Sequence, residues 1–473
     1  MTSLQRQTVL IACLATAMLM LDIAVVNVAI PNIGRDLHSG LTGLQWIVDA
    51  YTVILAACVL TAGSLADRLG RRFVLRMGLG VFTVASVVCA TATTITTLDV
   101  ARGIQGLGAA AMFATSLAVL AEAFREPKSR NVAFAAYGAT IGASFAVGPL
   151  LGGLLTAWFG WRSIFFVNVP LGLLCLLGSV GLRESSDPNP RRVDWLGQAL
   201  LVGGLFLLVL GLLRGNSVRW SSSSILAELI VAVALLGTFL VVEHLKRQPM
   251  LPLGMFRNPS FAGAQIAAFT MSASFFAMFI YLILYLQEIL HLSPIRAGLA
   301  LMPCTIVVFV VSGVSSQLLN RVSLRSMISG GLGLAAIGLA AMTVAGTHSS
   351  WTALLVGEIV VGAGTGLFNP ALSNVALSVV SERESGLAAG VNDTFRQMGI
   401  AVGIAALGAL IPARDALGSG SPGGYVAGLH SALIVATLVA AAGSVATMAL
   451  IGRPFSAMAK SPVSTDAFAP EVA

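Results

Sequence analysis

Long apolar stretches interrupted by short polar ones organise this chain from end to end. Runs of roughly 20 apolar residues, the length that crosses a bilayer as a helix, fall at 8–30, 43–63, 73–94, 98–122, 131–156, 162–182, 195–213, 225–243, 261–287, 297–319, 326–346, 351–379, 386–411 and 427–451. Fourteen spans are therefore predicted. The most polar stretch, Arg183 to Asp194, follows the sixth, and its Pro188, Pro190 and mixed charges read as a surface linker. Two spans then precede a second block of six that begins near Phe261. The expected architecture is an all-α polytopic membrane protein: an N-terminal six-helix bundle at 1–183, a linker with two additional helices at 184–260, a C-terminal six-helix bundle at 261–453, and a disordered cytoplasmic tail at 454–473.

Composition excludes a soluble class. Of 473 residues 57% are hydrophobic and 10% charged, whereas soluble domains carry about 25% charged residues. The first run is not read as a cleaved signal peptide. It exceeds the usual apolar core of ~7–15 residues, holds Asp22 in its interior and is followed by thirteen further spans. Cys13, Cys58, Cys89, Cys175 and Cys304 lie inside spans without metal-ligand spacing and read as small packing residues. His38, His244, His291, His348 and His430 show no metal or triad spacing, so no metal site, cofactor or enzyme activity is expected. No GxxxxGK[ST] string is present, which disfavours an ATP-driven pump.

The net charge of +7 raises the question of a nucleic-acid partner, and the distribution of charge answers it. With the N-terminus placed inside, nineteen of the 27 Lys and Arg residues fall in cytoplasmic segments and six in outer ones, while Arg102 and Arg396 lie within spans. That is the positive-inside pattern of a multi-pass protein of the cell membrane with both termini cytoplasmic. The basic balance reports topology, and no nucleic acid is expected.

The two blocks of six echo one another. At an offset of 250, Gly63, Asp67, Gly70 and Arg71 fall on Gly313, Gln317, Asn320 and Arg321; at 256, Arg102, Gly106 and Gly108 fall on Glu358, Gly362 and Gly364. Such symmetry is expected of transporters built from repeats around a midplane site.

Several strings carry a more specific signal. GSLADRLGRR (63–72) joins the second and third spans; LDIAVVNVAIP (21–31) lies in the first, LDVARGIQGLGAAA (98–111) in the fourth, GPLLGG (148–153) in the fifth and WRSIFFVNVP (161–170) at the start of the sixth. GVNDTFRQMGIAVG (390–403) lies in the thirteenth. Together these resemble the major facilitator superfamily of secondary transporters, and specifically its fourteen-span drug/proton antiporters. The resemblance implies two six-helix bundles with two extra helices between them, alternating access and export driven by a proton gradient.

Physical readings of these residues stand beside the resemblance. Gly63 and Gly70 are expected to permit a tight turn. Asp67 has positive neighbours in Arg68, Arg71 and Arg72, and a helix N-terminus is a second place for it. The resemblance implies a charge latch between states. Gly138 and Gly142, then Gly148 and Gly152, place small residues four apart, beside Gly153, for close helix packing; Pro149 is expected to kink that helix. The resemblance makes this helix the mark of an antiporter.

Buried charges point to mechanism. A charge near a helix centre costs about 2.5–3.5 kcal/mol on insertion scales, so Asp22, Asp49, Arg102, Glu358, Asp393 and Arg396 each require a partner or a use. Asp22, Asp49 and Arg102 are expected at similar depth and able to share one cavity; Asp22 with Arg102 also reads as a structural pair. Asp393 and Arg396, three apart, can pair on one helix face or contact substrate. Glu228, Glu243 and Glu288 read as interfacial. Trp46, Tyr137, Phe276, Tyr281 and Phe368 are candidates for an adaptable apolar cavity. The expected function is a proton-coupled antiporter exporting drugs, antibiotics or related amphiphiles, with protons, a small-molecule substrate and the lipid bilayer as its partners and a monomeric chain. The alternative is a dedicated exporter or proton symporter of a single metabolite.

Overall fold

The computed structural model describes residues 1–124, 126–187, 193–319, 321–378, 385–412 and 421–452. Helices account for the regular structure of these residues: α1 (Ser3–Asp36), α2 (Leu41–Leu69), α3 (Arg71–Thr91), α4 (Ile95–Ala123), α5 (Pro127–Phe159), the short α6 (Ser163–Phe166) and α7 (Asn168–Gly178), α8 (Trp195–Val218), α9 (Ser223–Leu245), α10 (Pro259–Met271), α11 (Ala277–Leu284), α12 (Pro294–Leu318), α13 (Leu324–Ala341), α14 (Leu355–Ser378), α15 (Ser385–Gly408) and α16 (Pro422–Leu450). Thirteen stretches among the described residues are long and apolar enough to cross a membrane. The predicted thirteenth run is the helix α15, which is less apolar because Asn392, Asp393, Arg396 and Gln397 interrupt it. The chain is a multi-pass membrane protein. The predicted tail, 454–473, lies outside the described residues.

Several helices outrun the apolar runs that announced them. Hydropathy marks the part inside hydrocarbon, whereas caps decide where a helix begins. α1 starts at Ser3 because Thr2 and Gln5 form a capping box: the Thr2 hydroxyl accepts from the Gln5 amide and the Gln5 side chain accepts from the Thr2 amide. At ~1.5 Å per residue its 34 residues exceed the ~30 Å hydrocarbon thickness. The sixth span comprises α6 and α7, continuous through the helical backbone of Val167, and the ninth runs α10, a π-helical turn (Ser272–Phe276), α11 and a second π-turn (Tyr285–Ile289).

Packing corrects the register of the internal repeat. A Cβ on Gly106 would meet the Tyr51 carbonyl at 2.5 Å, and one on Gly362 the Cys304 carbonyl at 2.7 Å. A Cβ on Gly108 would meet the Phe82 amide at 2.6 Å, and one on Gly364 the Ala335 amide at 2.9 Å. α4 thus lies against α2 and α3 as α14 lies against α12 and α13, supporting the 256 correspondence. The partners Tyr51/Cys304 and Phe82/Ala335 are 253 apart, as are the helix starts Leu41/Pro294 and Arg71/Leu324. The echo at 250 is therefore not the structural one. Gly70 corresponds to Ser323 and Arg71 to Leu324; Asn320 lies outside the described residues.

The additional helices are not set apart. α8 packs on α2 and α15, with α9 against its far side. The Thr61 hydroxyl donates to Gln198, whose amide reaches Cys58. Asp194 accepts from the Gly197 amide at 2.7 Å, capping α8, and is ion-paired with Lys246. Glu243 is buried and accepts the Leu251 amide at 2.7 Å.

Candidate functional site: a buried ion pair in the N-terminal bundle

Asp22 on α1 and Arg102 on α4, eighty residues apart, form an ion pair of 2.5 Å with side chains 0% and 1% exposed. The guanidinium has further partners. Its Nη1 also donates to Gln105 Oε1 at 2.7 Å, its Nε donates to the Ile47 carbonyl at 2.9 Å, and the Tyr51 ring lies 4.3 Å below it. The carboxylate is equally served: Oδ1 accepts from Gln105 Nε2 and Asn168 Nδ2, each at 3.0 Å. Ser86 closes the network by accepting from Gln105 at 2.9 Å. Five helices converge here, with α7 contributing Asn168 from its first turn. Two charges leave water at a cost of several kcal/mol each, so the pair persists only with its remaining donors and acceptors satisfied.

The structure does not gather the other acids here. Asp49 is fully buried on α2, and neither of its oxygens has a hydrogen-bond partner among the described residues; Glu358 on α14 is the same at 1% exposure. The cavity expected to hold Asp22, Asp49 and Arg102 together is replaced by a direct Asp22–Arg102 contact. Asp393 and Arg396 share α15 but form no ion pair within 4 Å among the described residues, and Oδ2 of Asp393 is buried without a hydrogen-bond partner. Glu288, read as interfacial, pairs with Arg35 at 2.6 Å.

The basic loop is tighter than its sequence suggests. α2 continues through Leu69 and α3 starts at Arg71, leaving Gly70 alone as the turn, with φ 106°. Gly63 is ordinary helix with open space where a Cβ would stand, so the expected paired-glycine turn reduces to one glycine. Asp67 is bound by Arg71 one turn on at 3.0 Å, and Arg71 reaches Glu122 of α4 at 4.0 Å. The carboxylate at the α3 N-terminus is Glu184, not Asp67: it accepts from the Arg72 amide at 2.9 Å and the Phe73 amide at 3.2 Å and pairs with the Arg72 side chain at 3.5 Å. The Arg71 amide donates to the Ser185 carbonyl and the Asp187 amide to that of Asp67. The stretch read as a linker therefore clasps the loop. Arg68 is exposed.

α5 lies between the bundles. Cβ atoms on Gly148 and Gly152 would strike Ala24 (2.3 Å) and Val25 (2.9 Å) of α1. One on Gly153 would strike the Pro294 carbonyl of α12 at 2.6 Å, and one on Gly142 would meet Phe309 at 3.2 Å. The reciprocal contact is Gly298 of α12 against the Pro149 carbonyl. Gly138 faces open space and takes no part. The helix continues through Pro149 without interruption.

The expected cavity-lining set divides. Tyr281 is fully buried, accepting from Gln45 Nε2 at 2.8 Å and donating to the Ile404 carbonyl. Phe368 is 2% exposed and packs on Gly331, and Tyr137 packs beside Ala12, Leu120, Phe124 and Ala133. All three are packed against neighbouring helices. Trp46 is half-buried against Phe206 of α8 (5.4 Å), and Phe276 meets Phe145 of α5 across the bundles (5.6 Å). Gln105, Asn168, Ser86 and Glu184 were missed. Gln105 and Asn168 had a signal: a polar residue in an apolar run, Gln105 one turn from Arg102.

Comparison with known proteins places the chain in a family. The chain is 35% identical over 417 residues to the multidrug resistance protein Stp of Mycobacterium tuberculosis, covering 87% of this chain and 77% of the relative. It is 35% identical over 415 residues to the drug efflux pump JefA of the same organism (87% and 82% covered). It is 33% identical over 405 residues to a methylenomycin A resistance protein of Streptomyces coelicolor (85% of each). The model of the Major Facilitator Superfamily matches residues 12–404 and 314–468, and the chain belongs to that superfamily.

Proposed function

We propose that the protein is a proton-coupled antiporter that exports drugs, antibiotics or related amphiphiles across the cytoplasmic membrane, with both termini in the cytoplasm. The observation that carries this reading is the Asp22–Arg102 pair, sealed from solvent inside the bundle. A proton arriving at Asp22 removes the charge that holds Arg102 and loosens contacts among five helices at once. Losing that proton restores them. Asp49, Glu358 and Asp393 are further buried carboxyls able to carry protons or meet a cationic substrate. Asp67–Arg71–Glu122 and Glu184–Arg72 act as a latch on the cytoplasmic side, and the α5 glycines hold the bundles close enough to oppose leak.

The driving force suffices. One charge crossing 100 mV is worth ~2.3 kcal/mol, and at ~1.4 kcal/mol per tenfold that sustains roughly a 40-fold gradient. The relatives named for drug efflux and antibiotic resistance support the same reading. The test is substrate-induced proton release from everted vesicles across a panel of amphiphilic compounds. Dissipation of an imposed pH gradient by several unrelated compounds is expected. Response to one metabolite alone would establish the dedicated carrier, and no response would end the antiport reading.

A further inference from the structure

One end of the molecule carries a polar closure that the ion-pair site does not explain. At the C-terminal end of α1, Arg35 pairs with Glu288 at 2.6 Å, and Asn32 donates to Gln287 at 3.3 Å. Gln287 in turn donates to the Val28 carbonyl at 2.8 Å. Below this tier, Gln45 of α2 donates to Tyr281, which caps the Ile404 carbonyl of α15. A Cβ on Gly408 would collide with both Gln45 and Tyr281, so this lower tier leaves no room for a side chain at that position. Every bond named here joins the N-terminal half to the C-terminal half, or closes such a joint.

The repeat register says where these contacts sit. At 253, Arg35 corresponds to Glu288. The same register pairs His38 with His291, both with φ 52°, and these are two of the three non-glycine residues with positive φ among the described residues. Two equivalent positions of related bundles can touch only on the pseudo-two-fold axis that exchanges them. The axis of such a repeat runs through the path between the bundles. The Arg35–Glu288 bridge therefore stands over the mouth of that path.

The segment that carries Gln287 and Glu288 is also irregular. Residues Tyr285–Ile289 form a π-turn, marked by the Leu290 amide donating to the Tyr285 carbonyl, and His291 follows in the left-handed region. π-turns are uncommon and concentrate at functional positions. Return to α-helical pairing would rotate the following residues by about a residue's worth of turn, roughly 100°, and withdraw both side chains from α1.

We propose that Arg35–Glu288 and Asn32–Gln287, above Gln45–Tyr281, form the extracellular gate of the transport path, with the π-turn Tyr285–Ile289 as its hinge. The orientation rests on the proposed exporter reading with cytoplasmic termini. Gate opening admits water to the outer half of α2, where Thr52 is fully buried one turn below Val48.

The test uses the full-length protein in intact cells, with Thr52→Cys as reporter and a membrane-impermeant maleimide outside. Labelling is slow in the parent. In Glu288→Gln and in Arg35→Gln it rises about two- to fivefold, the range expected for loss of one solvent-accessible ion pair. The exchanged pair Arg35→Glu/Glu288→Arg returns it toward the parent rate, which a misfolded variant would not do. A short thiol cross-linker between Asn32→Cys and Gln287→Cys suppresses labelling, and reductant restores it. Unchanged labelling in both single variants, or full labelling in the cross-linked protein, overturns the gate. Labelling needs no substrate, so its outcome is separate from the vesicle assay: failure there with success here leaves a gate on a carrier of different cargo.

Discussion

Replacing Asp22 by Asn is the sharpest perturbation of the ion-pair network, because it removes one charge while changing almost no volume. In the parent the Arg102 guanidinium has one counter-charge at 2.5 Å, two neutral acceptors (Gln105 and the Ile47 carbonyl) and the Tyr51 ring. Asp22→Asn leaves the neutral contacts but strands a cation that is 1% exposed. Breaking a buried pair from one side costs about 3–5 kcal/mol, or roughly 10²- to 10³-fold or more in the folding equilibrium at ~1.4 kcal/mol per tenfold. Removing both charges in Asp22→Asn/Arg102→Gln should recover much of this, with a coupling energy above about 1 kcal/mol, as expected for residues in one network. Denaturation of purified protein in detergent gives the four stabilities of the cycle. Efflux from everted vesicles, normalised to folded protein, gives the functional arm, in which Asp22→Asn should lose proton-coupled export. A loss of stability below about 1 kcal/mol would show that Arg102 does not depend on Asp22. Retained export driven by the pH gradient would remove Asp22 as the proton carrier.

Three further outcomes follow from local geometry. Gly70→Ala should cost about 1–3 kcal/mol, since φ 106° is poorly accessible to other residues and a Cβ would stand 2.5 Å from the Glu184 carboxylate; equal stability in thermal unfolding would remove the turn from the argument. Gly153→Ala should cost about 1–3 kcal/mol because the obstacle is the Pro294 carbonyl, which cannot swing aside. Gly138→Ala, facing open space in the same helix, should be neutral or stabilising by up to about 1 kcal/mol. The third concerns Asp194: burial pushes its carboxyl up, but hydrogen bonds with Glu243, Lys246 and the Gly197 amide outweigh it and hold it below the ordinary range. A carboxyl lowered in the folded state adds stability above its unfolded value, near pH 4, that is lost as pH falls through the folded one. Lys246→Met should therefore be less stable than the parent at neutral pH, and the two should converge on acidification below about pH 4.

Much of the architecture was legible because the bilayer imposes a one-dimensional code. A span must satisfy its own backbone and present apolar side chains, so length and hydropathy are enough to count spans. The sequence also showed which residues were too costly to bury without purpose, and Asp22 and Arg102 were among them. Where that code is silent, the sequence reading went wrong in specific ways. Gly63 and Gly70 look alike in the string, yet only the φ of Gly70 requires glycine. Asp67 and Glu184 are both acids near basic residues, yet only Glu184 reaches the α3 N-terminus, after a 112-residue detour. The repeat offset of 250 matched letters, whereas helix starts and glycine contacts match at 253.

What the sequence determined by itself was the class, the span count and the short list of expensive charges, since each depends on composition or on neighbours along the chain; the family followed from the resemblance of its motifs. Tertiary structure alone decided which charges meet. Asp22 finds Arg102, Gln105 and Asn168 across 80, 83 and 146 residues, while Asp49 and Glu358 find no partner among the described residues. A pairing across helices depends on their relative rotation and depth, and interhelical packing sets both through contacts such as Gly106 on Tyr51 and Gly153 on Pro294. The cost of burying a charge is local and can be read from the string; the partner that offsets it is a property of the packed bundle.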